Sequence, residues 1–452
     1  DTLGVSIRSV RPSRKRLEKK SPNSSSTKYV VDLVFKMLSA QRCSQFLEYF
    51  FTDADAQFFK SLGLNCIRIP FNHRHFEDDM NPRVIKNTGF KHLDRVINIC
   101  AAHGIYTILD MHTAPGGQNT DWHSDHGTHI ANFWNHKDFQ DRSVWLWEQL
   151  AAHYKGNKWI AGYNPLNEPT DSKHTRVIAF YDRVHKAIRA IDPDHVIFFD
   201  GNTFASDFSH FGDAHKAWSN TAYSIHDYSS FGFPGAEKYE STPAQVARLR
   251  RSYEKKRQWM DERGLCVWNG EWGPVYARRQ YDGEATDGIN ETRYKVLKGQ
   301  LEIYNQARLS WSIWTYKDIG FQGMVYVSTE TPYMTLFKDL LAKKHRLAVD
   351  AWGADDTAVR HIYAPLIDHI HQEIPPEFQK IYPQPVWKLG DRIARLSRNI
   401  LVSEFMIREW TGHFVGKSEE ELDAIAASFK FEACLQREGL NAILAENAKL
   451  VQ

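Results

Sequence analysis

Nowhere in the chain is there an apolar run of about 18 or more residues, the length a helix needs to cross a lipid bilayer. Cysteine is scarce: Cys43, Cys66, Cys100, Cys266 and Cys434 are odd in number, widely spaced and without a CxxC pair. That pattern excludes a zinc ribbon and a dense disulfide framework. Cys66, Cys100 and Cys266 stand in apolar stretches and are expected as buried thiols. Neither sign of charge dominates, with Lys+Arg 57 against Asp+Glu 55 and a net charge of +2. No nucleic-acid or membrane-surface partner is therefore expected. No Gly-rich dinucleotide fingerprint follows any apolar run, which argues against an open nucleotide-binding sheet. The polar, basic residues 1–26 lack the apolar stretch of a secretory leader, so a cytoplasmic location is favoured. The chain does not begin with Met, and sequons at Asn23 and Asn290 leave secretion open.

Aromatic residues are abundant: 14 Trp, 19 Tyr and 26 Phe. Most must build a large core. Rings also suit carbohydrate, because the apolar face of a sugar packs on an aromatic plane. Composition alone does not separate the two uses.

The chain divides into three stretches. Residues 1–40 hold a basic run over 11–20 and then Ser21-Pro22-Asn23-Ser24-Ser25-Ser26, the composition of a poorly ordered or atypical segment. Within it, 29–35 could be a strand or the start of a helix. From Phe51 onward, seven short apolar runs read as strands: 65–71, 106–112, 160–167, 195–200, 222–228, 266–271 and 309–316. Amphipathic stretches at 90–103, 143–154, 175–191 and 242–263 read as helices between them. Such alternation predicts an α/β fold with a parallel sheet, here a (β/α)8 TIM barrel over 41–345 with its first strand unassigned. Residues 346–452 predict a helical extension packed on the barrel, with helices near 355–370, 419–437 and 440–450.

Active sites of parallel barrels lie at the C-terminal ends of the strands. Standing there are Arg68 with Asn72 and His73, Asp110 and His112, Asn167 and Glu168, His226 and Tyr228, Glu271, and Trp314. Packing does not ask for these residues, and six strands ending this way are hard to assign to solvated ends alone. Glu168 and Glu271 each close an apolar run. Taken singly, either is as readily a structural ion pair. As a pair across a cleft they could cleave a glycosidic bond, one protonated to donate to the leaving oxygen and one ionised to attack the anomeric carbon.

The ordered set Ile67-Arg68-Ile69-Pro70, Asp110-Met111-His112 with Pro115-Gly116-Gly117-Gln118-Asn119, Asn167-Glu168-Pro169, His226-Asp227-Tyr228, Gly270-Glu271-Trp272-Gly273 and Trp311-Ser312-Ile313-Trp314 resembles glycoside hydrolase family 5. Each motif is short; all six in the family order are specific. The resemblance spans about 51–318. It implies a retaining β-glycoside hydrolase that acts on β-glucans or β-glucosides, with Glu168 as general acid/base and Glu271 as nucleophile. Arg68 and Tyr228 would contact the nucleophile. Asn167 would bind the 2-hydroxyl of the sugar, His112 and His226 would bind hydroxyls or support the acid/base, and Trp314 would stack beneath the sugar. Strand periodicity also favours Trp314 over Trp311 for the site, since Ile313 marks the core face. The rival readings are a barrel that binds carbohydrate without cleaving it, and a transglycosylase.

No cofactor and no metal is implied. His123, His126 and His129 give residues 121–129 a metal-like content, but the spacing lacks a helical His-x-x-x-His, and the segment reads as a loop over the cleft with Trp122 near sugar. The expected partner is a β-linked oligosaccharide, polysaccharide or glycoside; the oligomeric state is left open. In one respect the chain departs from the family, whose opening strand is rich in Gly, Asn and Trp. No such strand is found before Phe51, and the resulting expectation is an incomplete barrel, less stable or less active than a full one.

Overall fold

Alternating apolar runs and amphipathic stretches become a curled parallel sheet with helices outside it. The computed structural model describes residues 40–125, 130–349, 356–379 and 389–450. Helices α1 (Ala40–Phe50) and α2 (Asp53–Ser61) come first. Strands β1 (Cys66–Asn72), β2 (Tyr106–Thr113), β3 (Ile160–Asn164), β4 (Val196–Asp200), β5 (Thr221–His226), β6 (Val267–Glu271) and β7 (Ser310–Trp311) then pair in chain order, every neighbour parallel. Between them run α3 (Asn87–Ala102), α4 (Lys137–Tyr154), α5 (Thr175–Ile191), α6 (Pro243–Asp261) and α7 (Thr286–Gln306). This is the architecture of the TIM barrel.

Local chemistry sets the boundaries. Helix α6 starts at Thr242, whose hydroxyl accepts from the Gln245 amide at 3.3 Å while the Gln245 side chain accepts from the Thr242 amide at 3.4 Å. Pro243, which has no N–H to leave unpaired, takes the first helical position. Along β5, Tyr223 and Ile225 face the helices and join a core with Leu109, Tyr163, Phe199 and Trp147. Ser224 and His226 alternate to the other face. The outer face of the sheet is thus apolar, and its buried inner face holds the polar groups Arg68, Asp110, Asn164 and Asp200.

The eighth strand expected before Phe51 is absent among the described residues. Residues 40–50 are helical, and 29–35 lie outside the described part. Between β1 and β7 the interior opens on a cavity of about 1640 Å³, lined among others by Arg68, Ile108, Phe198, Trp268 and Trp311.

A second core follows the barrel. Strands β8 (Lys317–Asp318), β9 (Val325–Val327) and β10 (Cys434–Gln436) form a small mixed sheet, β8 parallel and β10 antiparallel to β9. Helices α8 (Pro332–Arg346), α9 (Thr357–Glu373), α10 (Leu389–Arg395), α11 (Ser403–Gly412) and α12 (Glu419–Ala427) follow, and α13 (Glu438–Leu450) returns to the barrel, where Leu440, Ile443 and Leu444 join the first core. Phe337, Met406, Ile425 and Phe429 pack together in the second core. Lys317 ties it to the first core: its ammonium is 2.6 Å from Asp55 Oδ1 and donates to the carbonyls of Phe50 at 2.8 Å and Phe429 at 2.9 Å.

Three expectations are corrected. The helix read over 419–437 ends at Ala427, because Phe429 turns inward against Phe46 and Tyr333 and Leu435 pairs with Tyr326 in the small sheet. The strand read over 309–316 keeps ladder pairing only at Ser310–Trp311. Beyond it the amides of Ser312 and Trp314 still reach the carbonyls of Asn269 and Trp272, both at 2.9 Å. Cys266 is exposed, since it precedes β6 at the rim where strands enter the barrel, whereas Cys100 is buried and Cys66 partly so.

Candidate active site

Glu271 ends β6, where the pairing with β5 shifts register between Ile225 and His226. The residue before it must be small: a Cβ on Gly270 would stand 2.7 Å from Ser224 Oγ and 2.9 Å from His226 Nε2. Arg68 Nη1 donates to Glu271 Oε1 at 2.7 Å, and the Tyr228 hydroxyl donates to Oε2 at 3.0 Å. Arg68 is itself clamped. Its Nε and Nη2 donate to Asn164 Oδ1 at 3.1 and 3.0 Å, Nη2 donates to Asn167 Oδ1 at 2.6 Å, and Asp110 Oδ2 lies 3.1 Å away. Burial opposes the guanidinium charge, but Asp110, Glu271 and Asp200 outweigh it and hold the group above its usual range. Burial, with Glu271 beside it, pushes the Tyr228 phenol well up, so it stays a donor.

Glu168 arrives by a tighter route. The chain leaves β3 at Asn164, the Asn167 amide bonds Met111 O at 3.2 Å, and the Glu168 amide donates to Asp200 Oδ2 at 2.9 Å. Glu168 takes φ 46°, a left-handed backbone that a non-glycine residue adopts only when its surroundings impose it. Its carboxyl lies between two imidazoles: Oε1 is 2.7 Å from His226 Nδ1 and Oε2 is 2.9 Å from His123 Nε2. His226 Nδ1 also stands 3.7 Å from Glu271 Oε2. One oxygen from each glutamate and one nitrogen of His226 therefore fall within 4.8 Å of one another. Burial works against a charge on His226, yet Glu271, Asp200 and Glu168 raise its pKa to about 9. Burial also raises Asp200. At Glu168 burial opposes ionisation, but the hydrogen bonds and charge of His123 and His226 outweigh it and hold the carboxyl well below its usual range.

The remaining expected residues surround this pair. Asn167 Nδ2 is buried and has no hydrogen-bond partner among the described residues. Trp314 is half-buried and stacks on His112, ring centroids 5.3 Å apart and planes 8° from parallel. His112 Nδ1 is 2.8 Å from Asp110 Oδ2, an N–H donor to a carboxylate acceptor that fixes the ring's orientation. The eight residues given roles by the resemblance thus belong to one cluster with Asp110, whereas Asn72 turns to Asp125 and His73 to Thr113 O and Asp79.

Sequence reasoning missed His123 and the groups behind it. The stretch 121–129 drew attention for its metal-like content and as a loop over the cleft with Trp122 near sugar, with no role given to His123. His126 and His129 lie outside the described residues, and His123 is turned to Glu168 instead. Asn119 Nδ2 lies 2.9 Å from His123 Nε2 and donates to Glu168 O at 3.0 Å. Arg395 of α10 pairs with Asp121 in the same loop. Asn119 stood inside a quoted motif, which was its only signal. A separate set, His174, Asp207 and His210, has donor atoms within 4.8 Å of one another, but His174 Nδ1 is already 2.9 Å from the Asn202 amide.

Comparison with known proteins places these residues in a family. Residues 34–320 match the family described as Cellulase (glycosyl hydrolase family 5). A β-xylosidase of Phanerodontia chrysosporium is 74% identical over 423 residues, covering 93% of this chain and 89% of that protein. Endoglucanase C of Acetivibrio thermocellus is 25% identical over 215 residues, 47% of this chain and 60% of that protein. Among solved structures, endoglucanase Cel5A of Thermotoga maritima is similar at a TM-score of 0.46 and 22% identity, over 61% of this chain and 85% of that one.

Proposed function

Since the chain belongs to glycosyl hydrolase family 5 and is a glycoside hydrolase, we propose that it cleaves β-xylosides, and β-glucosides less readily, with retention at the anomeric carbon. The xyloside preference is supported by the name of the relative 74% identical to it. Retention is supported by one observation above all: one carboxyl oxygen of Glu168 and one of Glu271, both beside His226 Nδ1, lie within 4.8 Å of each other. Retaining pairs stand about 5–5.5 Å apart, whereas inverting pairs leave room for a water at roughly 6.5–9.5 Å.

In this reading Glu271, oriented by Arg68 and Tyr228, attacks the anomeric carbon. Glu168 gives its proton to the departing oxygen, and the C–O bond breaks. A glycosyl ester on Glu271 remains. Glu168, now a carboxylate, takes a proton from water as the water oxygen attacks the same carbon and Glu271 leaves. The free Asn167 Nδ2 is a donor available to the 2-hydroxyl, a contact that strengthens as oxocarbenium character develops. Trp314 supplies the apolar floor.

Proton NMR of an aryl β-xyloside digest tests this, with the β-anomer of xylose expected before mutarotation. An initial α-anomer would remove the retaining mechanism. Azide added to Glu168→Ala should yield a β-xylosyl azide.

A further inference from the structure

We propose that Asp200 is a positioning residue for the acid/base: its carboxylate pins the left-handed backbone of Glu168 and backs the far ring nitrogen of His226, so that the acid is held facing Glu271. This rests on the acid/base role proposed above for Glu168.

Both oxygens of Asp200 meet donors whose direction is fixed elsewhere. Asn164 Oδ1 accepts from Arg68 Nε and Nη2, so the other end of that amide is its NH2. Asn164 Nδ2 gives one hydrogen to Phe198 O and one to Asp200 Oδ1, each at 3.0 Å. Asp200 Oδ2 accepts the Glu168 amide at 2.9 Å and stands 3.6 Å from His226 Nε2. Asp200 is fully buried at the end of β4. Burial raises its pKa; the His226 and Arg68 charges and the Glu168 amide act the other way, and Asp110 adds a second anion. The donors around it are those of a carboxylate. An asparagine could not replace it. Whichever way its amide turned, the NH2 would meet either the Asn164 hydrogen or the Glu168 N–H.

Glu168 depends on this anchor twice. Its backbone, at φ 46°, is held at the N–H by Asp200 and at the C=O by Asn119 Nδ2, 3.0 Å away. Its carboxyl is aimed by His226 Nδ1, 2.7 Å from Oε1. That ring faces Glu168 and Glu271 at Nδ1 and Asp200 at Nε2, and the Tyr228 hydroxyl reaches Glu271 from beyond. A carboxylate beside Nε2 favours a second proton on the ring and leaves the Nδ1 hydrogen for the two glutamates. With Glu271 and Glu168, Asp200 is one of three anions that raise His226 against burial.

Asp200→Asn reads both links. Phenyl β-xyloside needs a proton on its leaving group, and kcat/KM should fall by about 10²-fold at the optimum pH of the variant. 2,4-Dinitrophenyl β-xyloside needs none, and its kcat/KM should stay within about fivefold. Water attack on the glycosyl ester still needs the base. Added azide should therefore speed turnover of the dinitrophenyl substrate, as a terminal nitrogen bonds the anomeric carbon and Glu271 leaves, giving β-xylosyl azide. A general loosening of the fold would lower both substrates alike and give no azide product. NMR of histidine-labelled protein, with the His226 signal assigned by its loss in His226→Gln, should show the His226 pKa lower by about one pH unit or more in Asp200→Asn. Equal losses on both substrates, or a His226 titration that does not move, overturn the proposal. Should Asp200→Asn fail to melt cooperatively, Asp200→Ala, which leaves room for a water at the Glu168 amide, is judged by the same two readings. The wild type gives a check without any variant: a neutral His226 at pH 7 overturns the proposal. Glu168→Ala separates this from failure of the acid role. Equal losses on both substrates and no azide product there would remove that role, and the inference with it.

Discussion

Lys317 and Arg68 are both buried cations beside buried carboxylates, at 2.6 Å from Asp55 and 2.7 Å from Glu271, yet their surroundings differ. The three hydrogens of Lys317 go to Asp55 and the carbonyls of Phe50 and Phe429. Asp55 in turn accepts from the Tyr316 hydroxyl at 2.9 Å and the Thr52 amide at 2.8 Å. Around Arg68, by contrast, Asn167 Nδ2 and Asp110 Oδ1 have no hydrogen-bond partner among the described residues. Buried polar groups are almost always paired, so a closed set marks a structural joint and an open one marks a place that a ligand completes. Burial and charge alone would have ranked the two pairs equally.

The contrast can be broken experimentally. The largest effect is expected at Glu271→Gln, which should lower kcat on p-nitrophenyl β-xyloside by about 10⁴-fold or more while melting no lower than wild type. A marked loss of melting temperature there would make the Arg68 pair structural after all. Next comes Glu168→Gln, with a loss of about 10²–10⁴-fold on phenyl β-xyloside and much less on the dinitrophenyl substrate. Lys317→Met should do the reverse. It strands the Asp55 carboxylate and removes about 3–5 kcal/mol of stability in urea, with kcat per folded molecule unchanged. The smallest effect is a pH dependence. His226 is raised to about 9 in the folded chain, so its stabilisation is complete below its unfolded pKa of about 6.5 and is lost as pH rises through the folded value. Calorimetry from pH 6 to 10 should find the wild-type melting temperature falling through this window and a flatter profile in His226→Gln.

Much of the barrel was legible because strand and helix periods differ and the motif residues stand at strand ends. The helix over Thr175–Ile191 carries an uninterrupted amphipathic pattern. Trp314 illustrates a weaker inference: strand alternation pointed to it, but ladder pairing ends at Trp311, a backbone bond to Trp272 O holds the residue, and the ring stacks on His112. His123 was not legible, since nothing local says which way a loop histidine turns. Its place depends on Asn119 and on Glu168, 45 positions further along by their numbering. The helix over 419–437 failed for the same reason. Leu435 meets Tyr326, more than a hundred residues earlier in the chain, and that pairing overrides local helical pattern.

Gly270 shows how narrowly the aim of the nucleophile is set. Even a methyl group at that position would press on Ser224 Oγ and on the imidazole held between the two glutamates. A saturation library at codon 270, screened on a chromogenic xyloside, should therefore return glycine in every clone of wild-type speed, although 270 contributes no functional group of its own. The strand carries its working atom at 271 because it carries nothing at 270.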